Sequence, residues 1–477
     1  MTKTSSGSPS GHAADLPAPE PPPGRVPGDT GRRIADRLDG IPVGRWHRSL
    51  VTVVGLGCFF NFFEVAVGVL MIPLLPGDWA PSTLWKSLII GSTFAGELVG
   101  ALVITPLADR LGRRRMFQIN LVSYAALALL CAFATGPGEL IALRFLIGIG
   151  LGAELALVDA YLAELLPASH RGRLVTRCYA FGMIAVPVAG AAASLLPHTL
   201  WGASSWRWML GFSALGAVVV WALRRRLPES PRWLLSRGRD ADALATLTAI
   251  EAQAGHPAPP DPSPVPATPP SGQHPPSTSE RPRLLRRPLL GRTVLACVIE
   301  TLGPVGFYGF ASIAPLVLLH KGFNVVESLS YTALTAIGYP LGSLLLALIA
   351  DRYQRRTLTI VTSIGVAAAG TIFGFAGSAW LIVVAGTATT LLSVIQATVS
   401  RTYTAELFPT IVRSTIIGRS YALSRLIAGV LPFISLTVLD ALGPAILYMS
   451  CAALVLAMSA CVARLGPRTN AAQLETI

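Results

Sequence analysis

Charge is scarce in this chain. Asp, Glu, Lys and Arg make up 13% of its 477 residues, about half of what a soluble domain carries, so a water-facing surface cannot be built over it and a soluble globular protein is excluded. Cysteine is sparse too. The six (Cys58, Cys131, Cys178, Cys297, Cys451, Cys461) fall in apolar stretches without metal-ligand spacing, which points to small buried hydrophobes and implies neither disulfides nor a metal centre. The seven histidines are scattered, with no pair spaced as a zinc site requires. The sequence has no phosphate-binding glycine loop and no nucleophile beside a partnered base, which argues against an enzyme and against ATP-driven pumping.

What the chain has in abundance is apolar sequence: 52% of its residues are hydrophobic and the mean hydropathy is +0.57. Stretches long enough to cross ~30 Å of hydrocarbon, roughly 20 residues each, lie near 50–73, 85–107, 116–136, 139–162, 175–196 and 206–224. A second set lies near 292–318, 330–350, 357–376, 379–400, 416–438 and 441–463. The net charge of +13 would suit nucleic acid, but the arginines sit before the first span, after each even-numbered one through the tenth, and after the last. The alternate loops hold only Lys86, Arg207 and Lys321. That is the positive-inside bias, which places both termini in the cytoplasm and argues against a nucleic-acid partner.

The expected organisation is a cytoplasmic tail with a short amphipathic lead-in helix over 1–48, six spans over 49–226, a cytoplasmic linker over 227–290, six more spans over 291–464, and a tail over 465–477. The first 30 residues are rich in Pro, Ser and Gly without an apolar signal-peptide core and read as disordered. Residues 255–280 are too proline-rich for a helix interior.

The two sets of spans repeat each other at one offset of 242 residues. Asp109, Arg110, Arg113 and Arg114 return as Asp351, Arg352, Arg355 and Arg356, and Glu164, Pro167 and Arg171 return as Glu406, Pro409 and Arg413. Pro73 returns as Pro315, Gly96 as Gly338, Gly100 as Gly342, Tyr161 as Tyr403, and Arg177 as Arg419. A duplicated apolar chain of this kind marks a transporter built from two parallel halves around a site near the membrane midplane.

The string TPLADRLGRRR from Thr105, with a weaker copy ALIADRYQRR from Ala347, resembles the cytoplasmic loop signature of the major facilitator superfamily. Thr105 and Gln354 stand where that signature has glycine. RFLIGIGLG from Arg144, AELLPASHRGR from Ala163, PESPRWLLSRGR from Pro228 and AELFPTIVRS from Ala405 are similar to its sugar porter and metabolite:proton symporter branches. So is the lead-in RIADRLDGIPVGRWHR from Arg33. The resemblance covers about residues 33–465. It implies an all-α membrane protein with twelve transmembrane helices in two parallel six-helix pseudo-repeats. It also implies a cytoplasmic gate in which Asp109, Arg113, Arg114, Glu164, Arg171, Asp351, Arg355, Arg356, Glu406 and Arg413 bond to one another and lock the halves when the inner side is closed.

Ionisable groups deep in a bilayer are functional candidates by default. At ~1.5 Å per residue, Glu64, Glu97, Glu154, Glu300 and Arg425 fall near mid-membrane, and Asp159, Arg177, Arg401 and Arg419 near the cytoplasmic end, where they add to the gate. The central set breaks the repeat: Glu64 matches Gly306, Glu97 matches Tyr339, Glu154 matches Gln396 and Arg425 matches Met183. Packing asks for symmetry and a substrate does not, so this set is expected to carry coupling and binding. Glu154, Glu64 and Glu97 are the proton-coupling candidates, since desolvation pushes a carboxyl toward neutrality, or else they are carboxyls paired for structural reasons. Arg144 is implied by resemblance to tune proton transfer; the alternative is a cap on the outer helix end. Arg425 would favour an anionic substrate group, unless it pairs with Glu300. Glu300, Asn61, Gln396, Tyr308 and Tyr339 complete the substrate-binding candidates. Pro187, in AVPVAGA, partly matches a fifth-span motif of proton antiporters.

The expected function is alternating-access transport of a small organic metabolite, an organic acid or sugar-like, coupled to proton entry, in a monomer that needs the proton gradient and no cofactor or metal. Proton-coupled export of drugs or secondary metabolites is the alternative, and a transport-dead receptor a more distant one.

Overall fold

The computed structural model describes residues 27–80, 82–256, 289–311, 313–349, 352–408 and 410–467, with the side chains of 27–30, 32, 105, 289, 311 and 410–419 outside that description. The expected disordered start, most of the proline-rich segment, the C-terminal tail, and the gate candidates Asp351, Arg413 and Arg419 therefore lie outside the described residues.

A bilayer leaves backbone groups no partner but the chain itself, so the spans are helices. They run α1 (Pro27–Gly40), α2 (Arg45–Leu70), α3 (Thr83–Leu111), α4 (Arg113–Ala132), α5 (Pro137–Leu165), α6 (Arg171–Met183), α7 (Ala185–Leu195) and α8 (Ser205–Arg224). They continue with α9 (Pro231–Ser236), α10 (Asp240–Ala254), α11 (Leu289–Ala311), α12 (Ala314–His320), α13 (Val325–Ala336), α14 (Gly338–Ile349), α15 (Arg355–Phe375), α16 (Ala379–Glu406) and α17 (Thr410–Leu465). Among the described residues, eleven helical stretches are long and apolar enough to cross a membrane. The last of them, Ser420–Leu465, is 46 residues long, twice the length of one span. Gly443, at φ 81°, breaks α17 into two helices and supplies the twelfth.

Proline explains the other interruptions. Its ring clashes with the carbonyl four residues back, and α6 ends at Met183 before Pro187, α13 at Ala336 before Pro340, and α11 at Ala311 before Pro315. Spans five, seven and eight are thus each built from two helical pieces.

The repeat survives in the packing. A Cβ on Gly96 would lie 2.0 Å from the Phe145 carbonyl oxygen and one on Gly100 1.9 Å from that of Ile149. In the other half Gly338 would meet the Thr387 oxygen and Gly342 the Leu391 oxygen, both at 2.4 Å. Both glycines and both carbonyls recur at the 242-residue offset, so α3 crosses α5 as α14 crosses α16, backbone against backbone.

Two of the cations on the face opposite the basic loops close helix ends. Arg207 donates to the carbonyls of Ala132 and Ala134 at 2.6 and 2.8 Å, and Lys321 to those of Phe373 and Ala376 at 2.7 Å each. Ala134 and Ala376 are repeat mates, so two unlike residues cap equivalent C-termini, where cations suit the helix dipole. Burial pushes the Lys321 ammonium down to about 8.

The lead-in helix α1 packs Ile34 and Leu38 against Leu234, Leu247 and Ile250 of α9 and α10, and Arg37 grips Glu251 of α10 with two bonds of 2.9 and 2.6 Å. These three helices form a small bundle on the basic face. The cysteine expectation needs one correction: Cys297 is exposed, on a helix whose apolar side meets lipid instead of core.

Candidate functional site

On the basic face the Asp109 loop forms a tight knot. Arg113 reaches Asp109 on its own chain segment and Glu164 at the end of α5 at 3.0 Å. Gly112, at φ 98°, makes the turn, and a side chain there would strike the Glu229 carboxylate, its Cβ 2.5 Å from an oxygen. Glu229, from the string PESPRW, accepts the backbone N–H groups of Arg113, Arg114 and Ser230. It thereby caps the N-terminus of α4 with a negative charge. Burial pushes this carboxyl up from its ordinary value, against the pull of those donors. Arg114 donates to the Arg225 carbonyl at 2.7 Å, and Arg171 donates to the Leu166 carbonyl at 3.1 Å. The copy in the second half pairs Arg355 with Glu406 at 3.5 Å and hangs Arg356 on the Val462 and Ala463 carbonyls. The resemblance implies that these groups lock the halves when the inner side is closed; in this conformation the bonds named here run within one half each.

The other gate candidates show the halves parted on this face. Asp159 and Arg401, repeat-related and of opposite sign, are both exposed and make no ion pair with each other. Asp159 accepts the Tyr179 hydroxyl at 2.8 Å, Arg401 lies 5.9 Å from the Tyr421 ring, and Arg177 is exposed. On the opposite face the halves meet closely. Thr83 bonds Asp440, Ser87 donates to the Pro432 carbonyl at 3.3 Å, and a Cβ on Gly91 would lie 2.8 Å from the Gly429 oxygen. The space between the halves therefore opens toward the basic loops.

Among the described residues, three carboxylate–arginine pairs with both partners buried lie beyond that opening. Glu64 of α2 meets Arg144 of α5 at 2.6 Å, with the two side chains 0% and 1% exposed, and Arg144 also donates to the Glu64 carbonyl at 3.2 Å. Gly68 makes room for the guanidinium, since a Cβ there would sit 1.9 Å from its Nη2. Glu154 of α5 meets Arg224 at the end of α8. It also accepts from the Asn120 amide at 3.0 Å, while Arg224 donates to the Val54 carbonyl at 3.1 Å and lies 4.4 Å over the Phe117 ring. Both pairs are internal to the first half. Arg144 is an ion-pair member and caps nothing.

The third pair is different in kind. Arg425 of α17 meets Glu97 of α3 at 2.7 Å, joining the two halves at mid-membrane. Arg425 also donates to the Tyr308 hydroxyl and lies 4.6 Å from the Tyr421 ring. Phe94 and Phe307 stand edge-on to Tyr308 at 5.0 and 4.9 Å. The second Glu97 oxygen and Arg425 Nε are buried without a hydrogen-bond partner. An exchangeable ion pair walled by aromatic rings suits a planar anion, which could take the place of the carboxylate on the guanidinium.

The sequence candidates thus separate. The Arg425–Glu300 pairing is corrected: Glu300 faces Arg401 and Thr404, and Glu97 takes the arginine. Asn61 donates to the Leu151 carbonyl at 3.0 Å, which leaves it a helix-to-helix tie. Gln396 is buried in the second half beside Ser400 and Met458, with its oxygen unpartnered. Tyr339 packs on Phe307 at 5.4 Å and lines a cavity of about 60 Å³ with Tyr448, Thr335 and Thr390. Arg224, Glu229, Tyr421 and Phe94 were not singled out from the sequence. Arg224 opens a run of three arginines that reads as loop charge, and its position at the last helical residue of span six was the available signal.

A family model described as "Sugar (and other) transporter" matches residues 59–477. The putative metabolite transport protein YyaJ of Bacillus subtilis (strain 168) is 31% identical over 399 residues, covering 82% of this chain and 86% of that protein. The niacin transporter NiaP of Acinetobacter baylyi is 28% identical over 450 residues, covering 93% and 99%. Among solved structures, the partially occluded inward-open xylose transporter XylE from E. coli superposes with a TM-score of 0.71 at 17% identity, over 90% of this chain and all of the other.

Proposed function

This chain belongs to the sugar (and other) transporter family of the major facilitator superfamily, a multi-pass membrane transporter and not an enzyme, and we propose that it couples proton entry to uptake of a small organic anion held by Arg425. The observation that carries this reading is the Glu97–Arg425 pair bridging the halves among aromatic side chains. The basic face is the cytoplasmic one, by the positive-inside rule, with both termini inside. The driving force is the proton gradient, with no bound cofactor, in a chain that works as a monomer.

The chemistry follows from charge balance. A site that reorients across hydrocarbon is cheapest to move when neutral. Without substrate, the Glu97 carboxylate and the Arg425 guanidinium neutralise each other. With substrate, a proton on Glu97 releases the guanidinium, and the substrate carboxylate takes it. Both states are neutral, so an organic monoanion crosses with one proton. Glu64–Arg144 and Glu154–Arg224 are fixed inside one half, where reorientation leaves their partners unchanged, and they are assigned to structure. Export in exchange for protons is the alternative, in which a cationic solute and a proton compete for the Glu97 carboxylate and cross in opposite directions, and the break in span five before Pro187 is the feature that favours it.

The test is the pH inside proteoliposomes of purified protein, screened against organic acids, aromatic acids, sugars and organic cations. Acidification of the lumen by inward solute flux, confined to acids, is the expected result. Proton movement opposite to the solute would establish export, and a response to sugars alone would remove Arg425 as the substrate's counter-ion.

A further inference from the structure

A cavity of about 770 Å³ lies on the basic face outside the transport path, between α4 and α8 on the membrane side and α9 and α10 on the cytoplasmic side. Four arginines line it, Arg114, Arg115, Arg225 and Arg239, against two carboxylates. Both carboxylates are engaged: Glu229 accepts the backbone N–H groups at the start of α4, and Asp242 pairs with Arg239 at 2.7 Å. Among the described residues no carboxylate pairs with Arg115 or Arg225. The wall also holds the Gln118 amide, whose oxygen and nitrogen are both buried without a partner. A net positive, roomy cavity with an unpartnered amide is suited to a ligand with several oxygen acceptors and negative charge.

The surroundings point to where that ligand comes from. Trp221 and Trp233 line the cavity, the side chains that favour the boundary between hydrocarbon and water. Immediately outward, Ile119 and Val122 of α4 and Val219 and Leu223 of α8 are exposed and offer an apolar track along two packed helices. We propose that this cavity binds the headgroup of an anionic phospholipid from the cytoplasmic leaflet. The phosphate sits on Arg115, Arg225 and the Gln118 amide, and the acyl chains run down the α4–α8 groove. The bound headgroup braces the cytoplasmic helices against the first half at the Asp109 knot, since Trp233 and Arg237 both donate to the Asp109 carbonyl, at 2.8 and 2.6 Å.

The full chain in detergent is titrated with phosphatidylglycerol, phosphatidylcholine or glycerol 3-phosphate while its thermal unfolding midpoint is followed. Phosphatidylglycerol alone is expected to raise the midpoint. In the Arg115→Gln/Arg225→Gln variant, half-saturation should need about 30-fold more lipid, since each juxtamembrane arginine contributes about fivefold. An equal rise with phosphatidylcholine, or an unchanged titration in the variant, overturns the proposal. Glycerol 3-phosphate acting at the same concentration would make this a site for a soluble anion and overturn it too. If the double variant does not fold, Gln118→Leu takes its place, and native mass spectrometry of the unaltered protein must retain phosphatidylglycerol over phosphatidylcholine.

Discussion

Arg425→Gln is expected to lower kcat/KM for uptake of the substrate anion by at least about 30-fold. Truncating one partner of a buried, hydrogen-bonded charge pair costs about 2–5 kcal/mol, and about 2 kcal/mol already corresponds to that factor. Glutamine keeps some hydrogen-bonding capacity but loses the charge that attracts the substrate carboxylate and the fork that serves Tyr308 as well. Arg425→Lys keeps the charge without the fork and should fall between the two. Initial rates in proteoliposomes, with the unfolding midpoint measured alongside, separate lost binding from lost fold. Wild-type rates in Arg425→Gln would show that substrate binds elsewhere.

Arg224→Met is expected to destabilise the protein by about 3–5 kcal/mol, because it strands the Glu154 carboxylate in the core of the first half. Replacing both partners, Arg224→Met with Glu154→Leu, should recover most of that loss, since a buried ion pair exchanged for apolar packing is often neutral. Gly57→Ala should act like the single variant, because its Cβ would lie 1.8 Å from Arg224 Nη2 and expel the guanidinium. Denaturation midpoints in detergent measure all three. The double variant also decides what Glu154 does: stimulation of uptake by external acid should persist in it. If that stimulation vanished while the protein stayed folded, Glu154 would be the coupling carboxylate.

The fold was legible because membrane and duplication both write themselves into composition. Long apolar runs and an offset that holds for Gly96, Gly100 and their mates leave little freedom in topology. The offset predicts even the Arg355–Glu406 contact, observed at 3.5 Å. Depth alone put Glu64, Glu97, Glu154, Glu300 and Arg425 near mid-membrane; four of them are buried, and Glu300 is half-buried beside Arg401. Their pairing was not legible. Helical rise gives height in the membrane and says nothing of which face a side chain takes or which helix stands opposite, so Glu300 was as plausible a partner for Arg425 as Glu97. Arg224 escaped for a related reason: in a run of three arginines, the one that turns inward is fixed by helical phase and by the room Gly57 leaves. The motif located the charged knots around Arg113 and Arg355, but whether such groups join the halves depends on conformation, which a sequence does not specify.

The central claim is that a proton on Glu97 frees Arg425 for the substrate. Its most direct test compares two assays of Glu97→Gln in proteoliposomes: accumulation driven by an imposed pH gradient, and counterflow of labelled against unlabelled solute without one. Glutamine imitates the protonated, substrate-ready state. Counterflow should therefore continue near the wild-type rate while accumulation driven by the gradient disappears. Accumulation that survives the substitution would contradict the claim and return the coupling proton to Glu64 or Glu154, and loss of both activities would make Glu97 part of the binding site instead of the coupling step.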